Sequence, residues 1–259
     1  MRIFVDAVGV LAPGLPDWAS AKSVLAGSQS FVATALLPIA PTSLPPAERR
    51  RSSPTVRLAL AAAEQALQET KIAAADMAMV FSSYEAAGVI THQLCEVLAG
   101  SREVSPTQFH NSVHNAPSGY YSIAMGAKLS ASSVCRGDWS FAAGLLNAAA
   151  QSLTDDVAVL YVCYDSPLPA PISEVKPVIE TTAIALVLTP AATAGSLGAW
   201  EINVVPGEQA NTWPQWMPVT WHANASARGF APLATLADPA CSVAFAPLSP
   251  ELGLRVARA

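Results

Sequence analysis

Three observations predict an α/β fold in which helices are layered on a sheet. Short apolar runs rich in Val, Ile and Leu alternate with Ala-rich segments whose apolar residues recur every three or four positions. Two of the runs, 157–164 and 182–188, are strongly apolar and β-branched, which suits neighbouring strands of one sheet joined by the Pro-rich loop between them. Finally, 52% of the 259 residues are apolar and only 13% are charged, enough for a large core and for surface buried against a partner.

Taken in order, residues 3–10 read as a first strand with its exit turn at Pro13-Gly14. The stretch 20–46, with Pro38, Pro41, Pro45 and Pro46 near its end, reads as a long irregular surface connection. Glu48-Arg49-Arg50-Arg51 reads as a solvated or salt-bridged loop. Over 53–69, Val56, Leu60, Ala63 and Leu67 keep helical spacing and Pro54 suits the first turn, so an amphipathic helix is expected. A buried strand follows at 77–81, then a helix near 88–99 carrying Val89, Leu94, Val97 and Leu98. The polar turn 110–117 leads into a small-residue helix near 118–127 and a strand-like run at 132–135. That run breaks at Arg136-Gly137-Asp138-Trp139, where a second Ala-rich helix starts. Past 190 the texture changes to a strand-like 200–205, then Trp213, Trp216 and Trp221 among prolines, then 241–245. The tryptophans read as apolar cover over a core or a subunit contact. The expected organisation is therefore a domain of residues 1–190 and an extension, 191–259, that packs on the same domain or on a partner.

The net charge of −5 gives no basic footprint for nucleic acid. Cys95, Cys135, Cys163 and Cys241 lie far apart, without a CxxC pair or histidines at metal spacing, so neither zinc nor a disulfide framework is signalled. The start of the chain lacks a signal-peptide pattern, and no apolar run reaches membrane-spanning length. A soluble, cytoplasmic protein without membrane insertion is expected.

Chemistry-bearing groups concentrate in 105–153. A strand that turns sharply into a helix presents the residue at the bend beside the N–H groups of the helix N-terminus. Here the bend carries Asp138 and Trp139, neither an obvious nucleophile, followed by Ser140; GxSxG is absent. Cys135 lies within the strand-like run and reads as a buried, inert thiol. His110 and His114, four apart, could face one another as acid, base or metal ligands, but no third ligand is close. Asn111 and Asn115 have a simpler use, satisfying the turn and capping the helix that follows.

The ordered set, from the Val-Gly-Val-Leu-Ala-Pro-Gly strand exit through Ser105-Pro106, Asn115, Gly119 and Gly126 to the elbow and Ala-rich helix, resembles the N-terminal half of a β-ketoacyl synthase of the thiolase superfamily. Laid on the family pattern without gaps, Asn115, Gly119 and Gly126 fall on its Asn and Gly positions. The nucleophilic cysteine falls on Asp138, or on Trp139 if the register is taken from the following helix. The segment from Phe109 to Pro117, with His110, Asn111, His114 and Asn115, looks like the small ketosynthase-like chain length factors of aryl-polyene pigment clusters. The resemblance implies a thiolase-like layered α/β/α half-fold with a mixed five-stranded sheet. It also implies a dimer across the elbow half, an acyl chain carried by an acyl carrier protein, and no metal or diffusible cofactor. The family's two catalytic histidines come from a C-terminal half that is replaced here by the extension, and His222 sits in no glycine-containing motif of the family kind.

Three functions remain open at this point. The first is a catalytically silent subunit that forms a heterodimer with an active β-ketoacyl-acyl carrier protein synthase and shapes its acyl tunnel, with Asp138, Trp139 and Ser140 as a pseudo-active-site elbow. The second is a stand-alone acyl-transfer or hydrolytic enzyme using Asp138 with His110 or His114. The third is a homodimeric module that binds an acyl chain or its carrier.

Overall fold

The computed structural model describes residues 1–85, 87–207 and 212–259. In chain order the elements are β1 (Arg2–Leu11), α1 (Trp18–Leu25), α2 (Pro46–Arg51), α3 (Pro54–Glu69), β2 (Met77–Ser83), α4 (Gly88–Ala99), α5 (Pro106–Asn111) and α6 (Ala116–Met125). They continue with β3 (Ala131–Cys135), α7 (Ser140–Asp155), β4 (Ala158–Asp165), α8 (Ile172–Val175), β5 (Thr182–Thr189), β6 (Gly198–Pro206), α9 (Phe230–Ala237), β7 (Val243–Pro247) and β8 (Leu252–Arg258).

One mixed sheet runs in the order β3-β2-β4-β5-β1-β6-β8-β7. β2 is parallel to both β3 and β4, whereas β5 is antiparallel to β4 and β1, and the remaining pairs are antiparallel. The first five strands in that order are the mixed sheet expected from the resemblance. The expected count of five is too low, because β6, β8 and β7 continue the sheet beyond β1.

Helices on both faces explain why β4 and β5 are apolar along their length. On one face, α3 and Tyr121 of α6 pack on Met77, Met79 and Phe81; on the other, Phe141 and Leu145 of α7 join Ala78, Val80, Trp200 and Phe230. β1 serves both cores through a bulge between Val5 and Ala7. Ile3 and Val5 lie on the α7 face, and after the extra residue Asp6, Val8 and Val10 lie there too, while Ala7 and Leu11 face α3. The Asp6 carboxylate is not orphaned in the process: Thr70 at the end of α3 and Thr193 after β5 donate their hydroxyls to it.

The helix α3 starts as its sequence requires, with Ser53 Oγ accepting from Val56 N at 3.1 Å and Pro54 in the first turn. Three local expectations need correction. The connection at 20–46 is not irregular throughout: α1 occupies its start, capped by Asp17, whose carboxylate accepts from Ser20 N at 2.7 Å. The arginine run is no loop, since Arg49, Arg50 and Arg51 form the last turn of α2, where cations suit the helix dipole. The turn expected at 110–117 begins inside a helix, because α5 runs to Asn111. The three tryptophans cover the α7-side core, with Trp221 buried, Trp213 and Trp216 half-buried, and Phe31 edge-on to Trp221.

Candidate functional site at the strand–helix elbow

The parallel strand β3 ends at Cys135, and the chain then turns through one 3₁₀ turn, Gly137–Trp139, into α7. Gly137 makes the bend possible, with φ at 58°, a left-handed conformation that costs glycine little. Ser140 locks it: its buried hydroxyl donates to Gly137 O and accepts from Arg136 N, both at 2.8 Å. Ser140 is therefore fully occupied in shaping the elbow.

Asp138 at the tip meets cations from two distant segments. Lys176, just after α8, donates to its Oδ1, and Arg228 Nη2 lies 3.8 Å from the same oxygen. Lys176 Nζ also sits 4.7 Å above the Tyr84 ring, and Arg228 lies 5.2 Å from the Trp213 ring, which is stacked on His222 at 4.1 Å. Beneath them, the buried Asp165 at the end of β4 accepts from Tyr84 N, Ser226 N and Ser226 Oγ at 2.6 to 2.7 Å. Ser226 Oγ and Thr182 Oγ1 lie 2.6 Å apart, and Asn224 Nδ2 donates to Glu180 O and Thr182 Oγ1, so the extension is stitched to the underside of the elbow.

Burial dominates the electrostatics. It raises the Asp165 carboxyl despite the Ser226 and Tyr84 donors and Lys176, and it lowers the Arg228 guanidinium, which Asp138 and Asp165 pull back up. The Tyr84 phenol is raised by burial first, then by Asp138 and the other anionic groups around it. His222 is lowered by burial and by Arg228.

Cys135 is exposed, contrary to the expectation of a buried thiol, because β3 is an edge strand and Cys135 is its last residue; its Sγ lies 3.0 Å from Tyr84 O. The polar loop residues are not gathered at the elbow. His110 packs edge-on against Tyr120, 5.8 Å between ring centres, and lines a cavity of about 400 Å³ with Leu44, Glu48, Val113 and Gly119. His114 is half-buried and lowered by desolvation. Among the described residues no hydrogen bond or ion pair joins Asp138 to His110 or His114, and no three His, Cys, Asp or Glu side chains are grouped as a metal site. A pairing of Asp138 with either histidine is therefore not what this geometry offers.

Asn111 is buried and donates to Arg51 O at 3.0 Å and Thr107 O at 2.8 Å, tying α5 to α2. Asn115 stands at the N-cap of α6, but its side chain makes no capping bond, because its φ of −91° and ψ of 11° lie outside the extended cap geometry; its carbonyl instead accepts from Ser118 Oγ. Gly126 ends α6 in the left-handed conformation, and a Cβ on Gly119 would meet open space. Lys176, Arg228, Asp165 and Tyr84 are the site residues missed from the sequence; a buried carboxylate closing an apolar strand, as Asp165 closes β4, was the one available signal.

No helix of the described residues is long and apolar enough to cross a membrane. None of the curated proteins matches the chain. Among solved structures it is similar to a chain of the ketosynthase ApeO in complex with its chain length factor ApeC from Xenorhabdus doucetiae, at 21% identity and a TM-score of 0.74, covering 100% of both chains. It is also similar to the ishigamide ketosynthase/chain length factor, at 13% identity and a TM-score of 0.69 over 100% of this chain and 99% of that one. A type II polyketide synthase complex of an acyl-carrier protein with its ketosynthase bound to the hexaketide gives 16% identity and a TM-score of 0.63, over 80% and 69% of the two chains. These likenesses establish a shared fold. Residues 18–228, most of the chain and the whole of the elbow with its cations, match the model of the β-ketoacyl synthase N-terminal domain, and the chain belongs to that family.

Proposed function

We propose that this chain is a catalytically silent ketosynthase-like subunit, a chain length factor, that pairs with an active β-ketoacyl-acyl carrier protein synthase and shapes its acyl tunnel. The observation that carries the reading is the state of Asp138. On the gapless register the family's nucleophilic thiol falls on Asp138, a carboxylate tied to Lys176 and Arg228, and on the register of the following helix it falls on Trp139, which has no nucleophile either. A carboxylate paired with two cations is a poor nucleophile and cannot carry a thioester-linked acyl group. Ser140, the hydroxyl beside it, is committed to the turn.

Pairing is supported by the surface and by the relatives. Phe109, Val113 and Ile123 of the α5–α6 region are exposed, Ile123 at 85%, a concentration of large apolar side chains that suits burial against another subunit. Two of the similar structures are ketosynthases with chain length factors, and a third includes an acyl-carrier protein. The substrate of the assembled pair is then a growing polyene or polyketide chain on its carrier, handled in the cytoplasm. Half-buried Trp139, last residue of the elbow turn, acts as a wall or plug of the tunnel.

Intact-mass measurement after incubation with acyl-carrier thioesters tests the silence: no acyl adduct is expected on this chain, and an adduct at Asp138 contradicts it. Trp139→Ala in the assembled pair is expected to shift product length. Unchanged length and activity would remove Trp139 from that role.

A further inference from the structure

The elbow cations hold more than a broken active site. Lys176 and Arg228 come from separate segments and are largely withdrawn from water, with 19% and 13% of their side chains exposed. Two like charges converge in such a place only if anions hold them there. Asp165 lies beneath them, but its oxygens are already engaged by Tyr84 and Ser226. Asp138 is the ion-pair partner of both cations and is 42% exposed, so its carboxylate occupies the solvent side of the pair. Arg228 Nε, moreover, is buried with no hydrogen-bond partner among the described residues, leaving the guanidinium short of acceptors.

We propose that Lys176 and Arg228 form a carboxylate-binding site whose resident occupant is the Asp138 side chain, so that the elbow is closed to small carboxylates from within. Removing that side chain leaves two cations facing Asp165 alone, with space on the solvent side the size of a carboxyl group. A small monocarboxylate then takes the place of Asp138. This deepens the silent-subunit reading in one respect, by treating Asp138 as an internal ligand.

The probe is acetate, compared with chloride at equal ionic strength and pH, against thermal unfolding of the full chain. Asp138→Ala is expected to gain a saturable rise of roughly 2–5 °C in acetate that the unaltered chain lacks. The double variant Asp138→Ala/Lys176→Met is expected to lose the rise. Line broadening of ¹³C-acetate by Asp138→Ala, and not by the unaltered chain, reads the binding directly. Equal responses of the unaltered chain and Asp138→Ala, or none in either, would overturn the proposal. If Asp138→Ala does not fold, Asp138→Ser carries the same comparison. The silent-subunit reading fails by a different readout, acylation of the unaltered chain, so the two failures are distinguishable.

Discussion

Asp165 is the residue on which the elbow rests. It accepts from both the β2 exit, through Tyr84 N, and the extension, through Ser226, while facing Lys176 and Arg228. Asp165→Ala leaves the buried donors Tyr84 N, Ser226 N and Ser226 Oγ without their acceptor, and a loss of about 3–5 kcal/mol is expected in denaturant unfolding. Acid has its own signature. Burial lowers His114 and His222 from an ordinary value near 6.5, so below that value the unfolded chain takes up protons that the folded chain refuses. Their contribution is intact above 6.5 and is lost as pH falls through the folded pKa values. Asp165 acts with opposite sign, because its raised carboxyl protonates first in the folded state. His114→Gln/His222→Gln is expected to flatten the decline in stability just below pH 6.5, measured as unfolding free energy against pH. Little of this was legible beforehand. Asp138, Trp139 and Ser140 could be placed at a bend from sequence, but Lys176 and Arg228 reach Asp138 only through the tertiary fold.

At the scale of elements, close approach and sheet extension decide stability. Helix α7 lies so near β4 that a Cβ on Gly144 would come within 2.6 Å of Tyr161 Cε2 and 2.8 Å of Ser82 Oγ. The tyrosine cannot yield easily, since its hydroxyl donates to Phe141 O at 2.7 Å. Gly144→Ala is expected to cost about 1–3 kcal/mol by overpacking, read from the unfolding midpoint. In the extension, Trp200 of β6 is fully buried and donates from Nε1 to Thr235 Oγ1 of α9 at 2.9 Å. Trp200→Ala is expected to cost about 3–5 kcal/mol in the same measurement, through the cavity left in the core. The elements that were legible are those with a long period, α3 and α4, or a continuous apolar run, β4 and β5. Those missed had only short signals: α1 has eight residues and one cap at Asp17, and β8 alternates Leu252, Leu254 and Val256 with Gly253 and Arg255 at the end of the chain. β8 pairs with β7, the strand just before it, and with β6 on its other side.

At the scale of the molecule, the sheet holds the five mixed strands that the resemblance implied and continues past β1 through β6, β8 and β7, with the elbow near the opposite, β3 edge. The resemblance located the elbow because its small and polar residues keep their order along the chain. It gave no hint that β6, β8 and β7 continue the sheet past β1, since the motifs that carry it all lie before residue 154. On the proposed reading, the Asp138 elbow and the exposed α5–α6 side chains call for a partner that brings the thiol. The most direct measurement is co-expression with a β-ketoacyl-acyl carrier protein synthase from the same organism, purification through a tag on one subunit, and native mass spectrometry with a condensation assay. A one-to-one heterodimer whose activity requires the partner's cysteine is the predicted result. A chain that emerges alone and becomes acylated, or turns over a thioester by itself, would contradict it.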